Sequence, residues 1–367
     1  MEHIVSTIGN NRLNTCRTYN SYDINSDRDF WLKQFKYIAE HDELPRWKMW
    51  SANQKDGRGN ICPVTIILPT LAMEAKQWSE KYDKSLDERQ NYFMKQLDLK
   101  IGQARQMLIE RFTLICSQPE AAAKFMWNNN TMYGYDGETV SSAMKHGTLA
   151  IGQIGLAETL RLLTDGKDQT TDDGMILAKK IEGLFQQRCN EFKKNDRLNF
   201  GVYYTPAETL CKKSLQAFRE RFGVIEGVSD QEFFTNSIHV PVYDNVDVFD
   251  KINIESQLTG YSSAGCITYI ELDSEIENNI DAMEEIVDYA MDNDIPYFAL
   301  NRRLSRCKQC GHAGDFEKCP VCGSEDVEQL ARVTGYLSTD VSNMNYGKQC
   351  EVHKRVKHTG CKIYQSE

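Results

Sequence analysis

The chain has 367 residues, 41% of them hydrophobic and 26% charged, which is near the globular norm and excludes a disordered chain. Lys and Arg total 43 against 53 Asp and Glu, and the net charge of −10 argues against a protein that coats nucleic acid; no direct nucleic-acid binding is expected. The opening MEHIVSTIGNN shows no basic region followed by an apolar stretch, and no apolar run approaches the roughly 20 residues that span a bilayer, so a cytoplasmic protein without membrane contact is expected.

The first sixty residues are polar and irregular, with a turn-prone DGRGN at 56–60 and a short helical pattern over 29–44. ICPVTIILP (61–69) is β-branched, bounded by Gly59 and Pro69, and predicts a buried strand. From about Leu71 to Cys116, residues such as Trp78, Phe93, Leu97 and Ile101 recur at helical steps and predict a helix. A second helix is predicted over Ala143–Leu163 and a third over Asp172–Lys194. NFGVYYTP (199–206), SIHVPVY (237–243), ITYIEL (267–272) and IPYFAL (295–300) then predict strands separated by helix-like sequence or loops. That alternation predicts an α/β fold with parallel strands over 1–300. After Asn301 the apolar periodicity fades, and 301–367 reads as an appended module.

The module carries four of the twelve cysteines, as Cys307-x-x-Cys310-Gly311 and, seven residues on, Cys319-Pro-x-Cys322-Gly323. A two-residue gap lets one tight turn present two thiolates to one ion, and four such ligands fill a tetrahedral zinc site with no open position. The glycine after each second cysteine supplies a positive φ. A structural zinc in a reducing compartment is expected, rather than a disulfide scaffold.

Shortly downstream stands Arg332-Val333-Thr334-Gly335-Tyr336. Alone it reads as an ordinary turn glycine. Behind the two knuckles it resembles the glycyl-radical loop of the anaerobic (class III) ribonucleotide reductases. A glycine suits radical storage because its Cα radical is planar and delocalised over the flanking amides. The resemblance continues in Lys145-His146-Gly147-Thr148-Leu149 with Ile154-Gly155-Leu156-Ala157-Glu158, in Thr205-Pro206-Ala207-Glu208, and in Phe222-Gly223-Val224-Ile225 with Thr235-Asn236-Ser237-Ile238-His239-Val240-Pro241. It also covers Ile295-Pro296-Tyr297-Phe298-Ala299 and, near the front, Cys16-Arg17-Thr18 and Gly57-Arg58-Gly59-Asn60.

The resemblance implies a fold and a chemistry. The fold is the C-terminal part of a ten-stranded β/α barrel with a finger loop around 10–60, followed by a four-cysteine zinc and glycyl-radical module. An activase using an iron–sulfur cluster and S-adenosylmethionine would place the radical on Gly335. The radical would pass to Cys16 as a thiyl, which takes the C3′ hydrogen of a ribonucleoside triphosphate. Glu208 would handle the ribose hydroxyl protons as water leaves C2′; as a charge near a helix start after Pro206 it has a plainer reading. Asn60 would hydrogen-bond substrate or reductant, or simply serve the GRGN turn. Cys62 is a fallback thiol whose strand position suggests packing. His146 and His239 read as buried, satisfied histidines.

Members of the family carry a regulatory cone and the first barrel half ahead of the finger loop. The resemblance therefore implies a split enzyme with a separately encoded N-terminal half, the assembled enzyme being a homodimer. Two readings compete: a zinc-ribbon binding module with KRVKH (354–358) touching phosphate or a partner, and an inactive remnant. A formate-lyase type is disfavoured, since it uses adjacent cysteines and the chain has no Cys-Cys pair.

Overall fold

The computed structural model describes residues 12–14, 18–20, 23–25, 59–129, 132, 134–207, 209–272, 279–302, 304–333, 336–338 and 341–358. A short antiparallel pair, β1 (Arg12–Asn14) and β2 (Thr18–Asn20), precedes the body.

The body is built on a parallel sheet of β3 (Asn60–Ile67), β4 (Thr148–Ile154) and β5 (Asn199–Tyr204), in that order. Every residue of β4 and β5 is buried. Helices α1 (Leu68–Lys81) and α2 (Leu86–Cys116) follow β3, with short α3 (Lys124–Asn128) and α4 (Val140–Met144) leading to β4. After β4 come α5 (Leu156–Leu163) and α6 (Asp172–Asp196). Phe93, Leu97, Ile101 and Leu108 of α2 and Ile181, Phe185 and Cys189 of α6 join Leu149, Ile151, Phe200 and Val202 of the strands in the principal core.

Three elements differ from the sequence expectation. The stretch from Leu71 to Cys116 is two helices, because Asp83 takes a φ of 48° and Ser85 starts a capping box with Glu88. Ala143–Leu163 is not one helix. It contains β4, then Gly155 at φ 78°, then α5. A strand buried on both faces in a parallel sheet carries no alternation, so its apolar run passed for helix. SIHVPVY is a turn-rich loop, with Ser237 at φ 49° and His239 N–H bonded to the Asn236 carbonyl.

Beyond β5, α7 (Thr209–Phe222) and α8 (Val248–Thr259) precede a second parallel pair, β6 (Thr268–Leu272) and β7 (Phe298–Arg302), bridged by α9 (Ile280–Asp292). The segment before β6 lies along β5, through a parallel bridge of Tyr203 with Gly265 and the bond from Tyr204 N–H to the Gly265 carbonyl. The module is antiparallel: β8 (Leu304–Cys307), β9 (Ala313–Gly314), β10 (Val327–Val333) and β11 (Tyr336–Ser338) stand in the order β11-β10-β8-β9. Helix α10 (Tyr346–Lys354) then returns to the body against α7. Among the described residues no helix is long and apolar enough to cross a membrane.

Candidate active site and cysteine cluster

The two faces of the β3–β5 sheet differ. Cys62, Ile66, Leu149, Ile151, Phe200, Val202 and Tyr204 face the helices. On the opposite face Thr65, Ala150, Gly152, Gly201 and Thr205 are small or polar, and the Tyr203 ring packs there with Ala150 and Ala264; the Thr65 and Thr205 hydroxyls are 3.0 Å apart. A Cβ on Gly152 would meet the Tyr203 carbonyl and the Thr205 hydroxyl, and one on Gly201 would press on Ala264 and Ser263. Glycine at these two positions thus lets neighbouring backbone approach the inner face.

At the N-terminal end of the sheet, Asn60 begins β3 beside Thr148, and its Nδ2 donates to the Ala264 carbonyl at 3.3 Å. Asn60 Oδ1 is buried without a hydrogen-bond partner among the described residues. The same end holds Asp23, seven positions after Cys16. His146 Nδ1 lies 2.7 Å from Asp23 Oδ2, and Asn199 Nδ2 donates to Asp23 Oδ1 at 2.8 Å. The histidine of the KHGTL segment therefore pins the chain that follows the CRT segment.

At the C-terminal end, Thr205 and Ala207 are buried, and α7 starts at Thr209. Parallel strands put Asn60 at the opposite end of the sheet from the segment carrying Glu208, roughly 20 Å away at about 3.3 Å per strand residue. Glu208, Cys16 and Gly335 themselves lie outside the described residues. Val333 of β10 pairs with Tyr336 of β11, the two described residues that flank Thr334 and Gly335 in the sequence. Cys62 faces the helices, and burial raises its thiol pKa.

The TNSIHVP loop packs beside the C-terminal end of β4. Gly155 N–H donates to the Thr235 carbonyl, and Leu156 N–H to that of Ser237. Thr235 gives both its N–H and its hydroxyl to buried Glu158, at 2.8 and 2.7 Å. His239 lies 3.1 Å from Glu255, which Lys251 also contacts at 2.9 Å. Burial pushes the Glu255 carboxyl up, but Lys251 and His239 outweigh it and hold it below the usual carboxylate range. Both histidines singled out in the sequence thus face carboxylates inside the body.

The four module cysteines converge. Their sulfurs all lie within 4.8 Å of one another, with Cys307 and Cys322 at 3.5 Å and Cys310 and Cys319 at 3.5 Å. A tetrahedral ion with metal–sulfur bonds of about 2.3 Å spaces its sulfurs about 3.8 Å apart, so the set fits a single metal. Gly311 and Gly323 take φ of 76° and 72°, and their N–H groups close each knuckle on the Cys307 and Cys319 carbonyls at 2.9 Å. Without an ion the four thiols share protons: the Cys310 amide draws Cys307 down to about 6, while the neighbouring thiols push Cys322 up to about 12.

The basic KRVKH stretch is folded inward. Arg355 and His358 line a small cavity with Asn236, His239, Lys251 and Glu271, while Lys354 donates to Gln231 and Lys357 pairs with Asp315 at 2.9 Å. Glu271, which gathers several of these contacts, carried no local motif and was not singled out in the sequence.

Comparison with known proteins places these features in a class and then a family. Solved structures called anaerobic ribonucleotide reductase share the α/β fold. One aligns with 82% of this chain at a TM-score of 0.62 and 23% identity, covering 45% of its own length. One from Thermotoga maritima, in complex with dATP and CTP, aligns with 80% at a TM-score of 0.58 and 22% identity. The family model for anaerobic ribonucleoside-triphosphate reductase matches residues 6–358, and the chain belongs to that family. The anaerobic ribonucleoside-triphosphate reductase of Escherichia coli is 32% identical over 325 residues, 83% of this chain and 43% of the relative. That of bacteriophage T4 is 26% identical over 332 residues, 86% of this chain and 51% of the relative. The chain thus spans about half the length of these relatives.

Proposed function

We propose that this chain is the radical-bearing part of an anaerobic ribonucleoside-triphosphate reductase. The observation that carries the reading is the family match from residue 6 to residue 358, which takes in Cys16, Glu208 and Gly335 together with the converging cysteines. Cys307, Cys310, Cys319 and Cys322 would hold a structural zinc that folds the module. Gly152 and Gly201 on the inner face of β3–β5, where neighbouring chain comes close, support a half barrel whose lumen receives loops.

In this reading a radical-SAM activase removes a hydrogen atom from Gly335. The Gly335 radical takes the hydrogen of the Cys16 thiol, and the thiyl takes the C3′ hydrogen of the ribonucleotide; S–H and activated C–H bonds are close enough in strength for both steps. Glu208 accepts a ribose hydroxyl proton while the C2′ hydroxyl departs as water. Formate or a dithiol supplies two electrons, and Cys16 returns its hydrogen to C3′. In this reading the assembled enzyme is a homodimer that includes the first half of the barrel, as the family resemblance implies. The inward-folded Arg355 and His358 weigh against a phosphate-binding basic tail.

Anaerobic EPR tests the reading, after incubation with activase, S-adenosylmethionine, reductant and an N-terminal half. A doublet that is absent in Gly335→Ala is expected, together with loss of deoxynucleotide formation in that variant. A silent wild-type sample with metal bound and both halves present would overturn it.

A further inference from the structure

Glu271, on β6, gathers both flanks of the cysteine module. Its Oε1 accepts from Asn301 Nδ2 at 2.9 Å and pairs with Arg355 Nη1 at 2.7 Å. Its main-chain oxygen accepts the His358 N–H at 2.8 Å. Asn301 sits opposite Glu271 on β7, three positions before β8 begins, while Arg355 and His358 end the segment that follows β11. Arg355 also donates to Glu351 at 3.0 Å, and Glu351 receives Lys348 at 2.7 Å.

This ladder of alternating charge is withdrawn from water. The side chains of Lys348, Glu351, Arg355 and Glu271 are 4%, 6%, 9% and 17% exposed. Screening is weak there, and a charge that loses its partner is poorly compensated. Two further ties fix the returning segment: Val356 N–H donates to the Val242 carbonyl at 2.9 Å, and Lys357 reaches Asp315 of the module.

We propose that Glu271 is the positioning residue that sets where the β10–β11 hairpin stands over the body, because one residue holds the chain on both sides of the module. The inference rests on the reading of Gly335 as the radical carrier. The role assigned to the carboxylate is positional. It acts by fixing the two points between which the module is slung.

The test uses the full chain, metal-loaded, with its N-terminal half, and compares Glu271→Gln with Glu271→Asp and Arg355→Lys. In Glu271→Gln the cysteine-bound metal is retained, while amides of 341–358 exchange at least tenfold faster than in the wild type. The glycyl doublet per chain and kcat fall severalfold at unchanged KM, and Glu271→Asp recovers part of both. Arg355→Lys, which keeps the charge but loses one arm of the fork, falls between. Wild-type exchange in 341–358 in both Glu271→Gln and Arg355→Lys overturns the proposal. Faster exchange in a preparation whose wild type never gives the doublet upholds the tether and removes the radical assignment that it serves.

Discussion

Strands β4 and β5 are buried at every residue, and the side chains that hold them come from helices α2, α5 and α6. In the module, among the side chains of 304–329 that are described, the buried hydrophobic ones are Cys307 and Cys319. One region is stabilised by area removed from water, at about 25 cal/mol per Å². The other shows little apolar core among its described side chains, and its four converging cysteines could be tied by a metal ion instead. The fold of the body should therefore tolerate loss of a metal, and the fold of the module should not.

The largest effect is expected from breaking that second mechanism. Cys319→Ala, or chelation, should unfold the module outright, since structural zinc contributes about 10–16 kcal/mol in isolated zinc-binding peptides. Hydrogen exchange should rise to free-chain rates over 304–333 and stay protected in β3–β5. Collapse of protection in both regions would show that they are one unit.

Phe185→Ala attacks the first mechanism. Its ring is fully buried in the principal core, and removal should cost about 3–5 kcal/mol in a denaturant titration. Metal content at the cysteines should not change.

A finer probe is Glu182, buried on α6 with Gln153 Nε2 donating to it at 2.8 Å. Burial raises its carboxyl from the ordinary 4.5 to about 8. The folded chain keeps this proton where the unfolded chain has lost it, so its contribution to stability declines as pH rises from 4.5 to about 8 and is flat above. Glu182→Gln should remove that decline, on the order of 5 kcal/mol across the window. Identical pH profiles for the two proteins would show that the buried acid is compensated elsewhere.

The module was the most legible part of the sequence because its determinants are local: two short gaps and two glycines fix each knuckle. Strands β3, β5, β6 and β7 and helix α6 could also be read, since each run shows its own periodicity or β-branching. The Ser85–Glu88 capping box was present in the sequence and would have split the long helix. Strand β4 could not be told from helix by pattern, because both of its faces meet protein. The Glu271 junction was illegible for another reason. Its partners lie 30 and 84 positions away, at Asn301 and Arg355, and nothing local marks a carboxylate that will be met from both sides.

Helix α2 has a consequence for the order of assembly. It contacts α1, β3, α4, β4, α5 and α6, all within about 110 positions along the chain. Short loops close at lower entropic cost than long ones, so the layers around α2 are predicted to form before the C-terminal segment finds Glu271. Leu97→Ala should then slow refolding nearly in proportion to the stability lost, while Arg355→Lys should chiefly hasten unfolding. The reverse partition in a stopped-flow series would disprove this order. On a ribosome, the body would already be standing when the segment that fastens to Glu271 emerges.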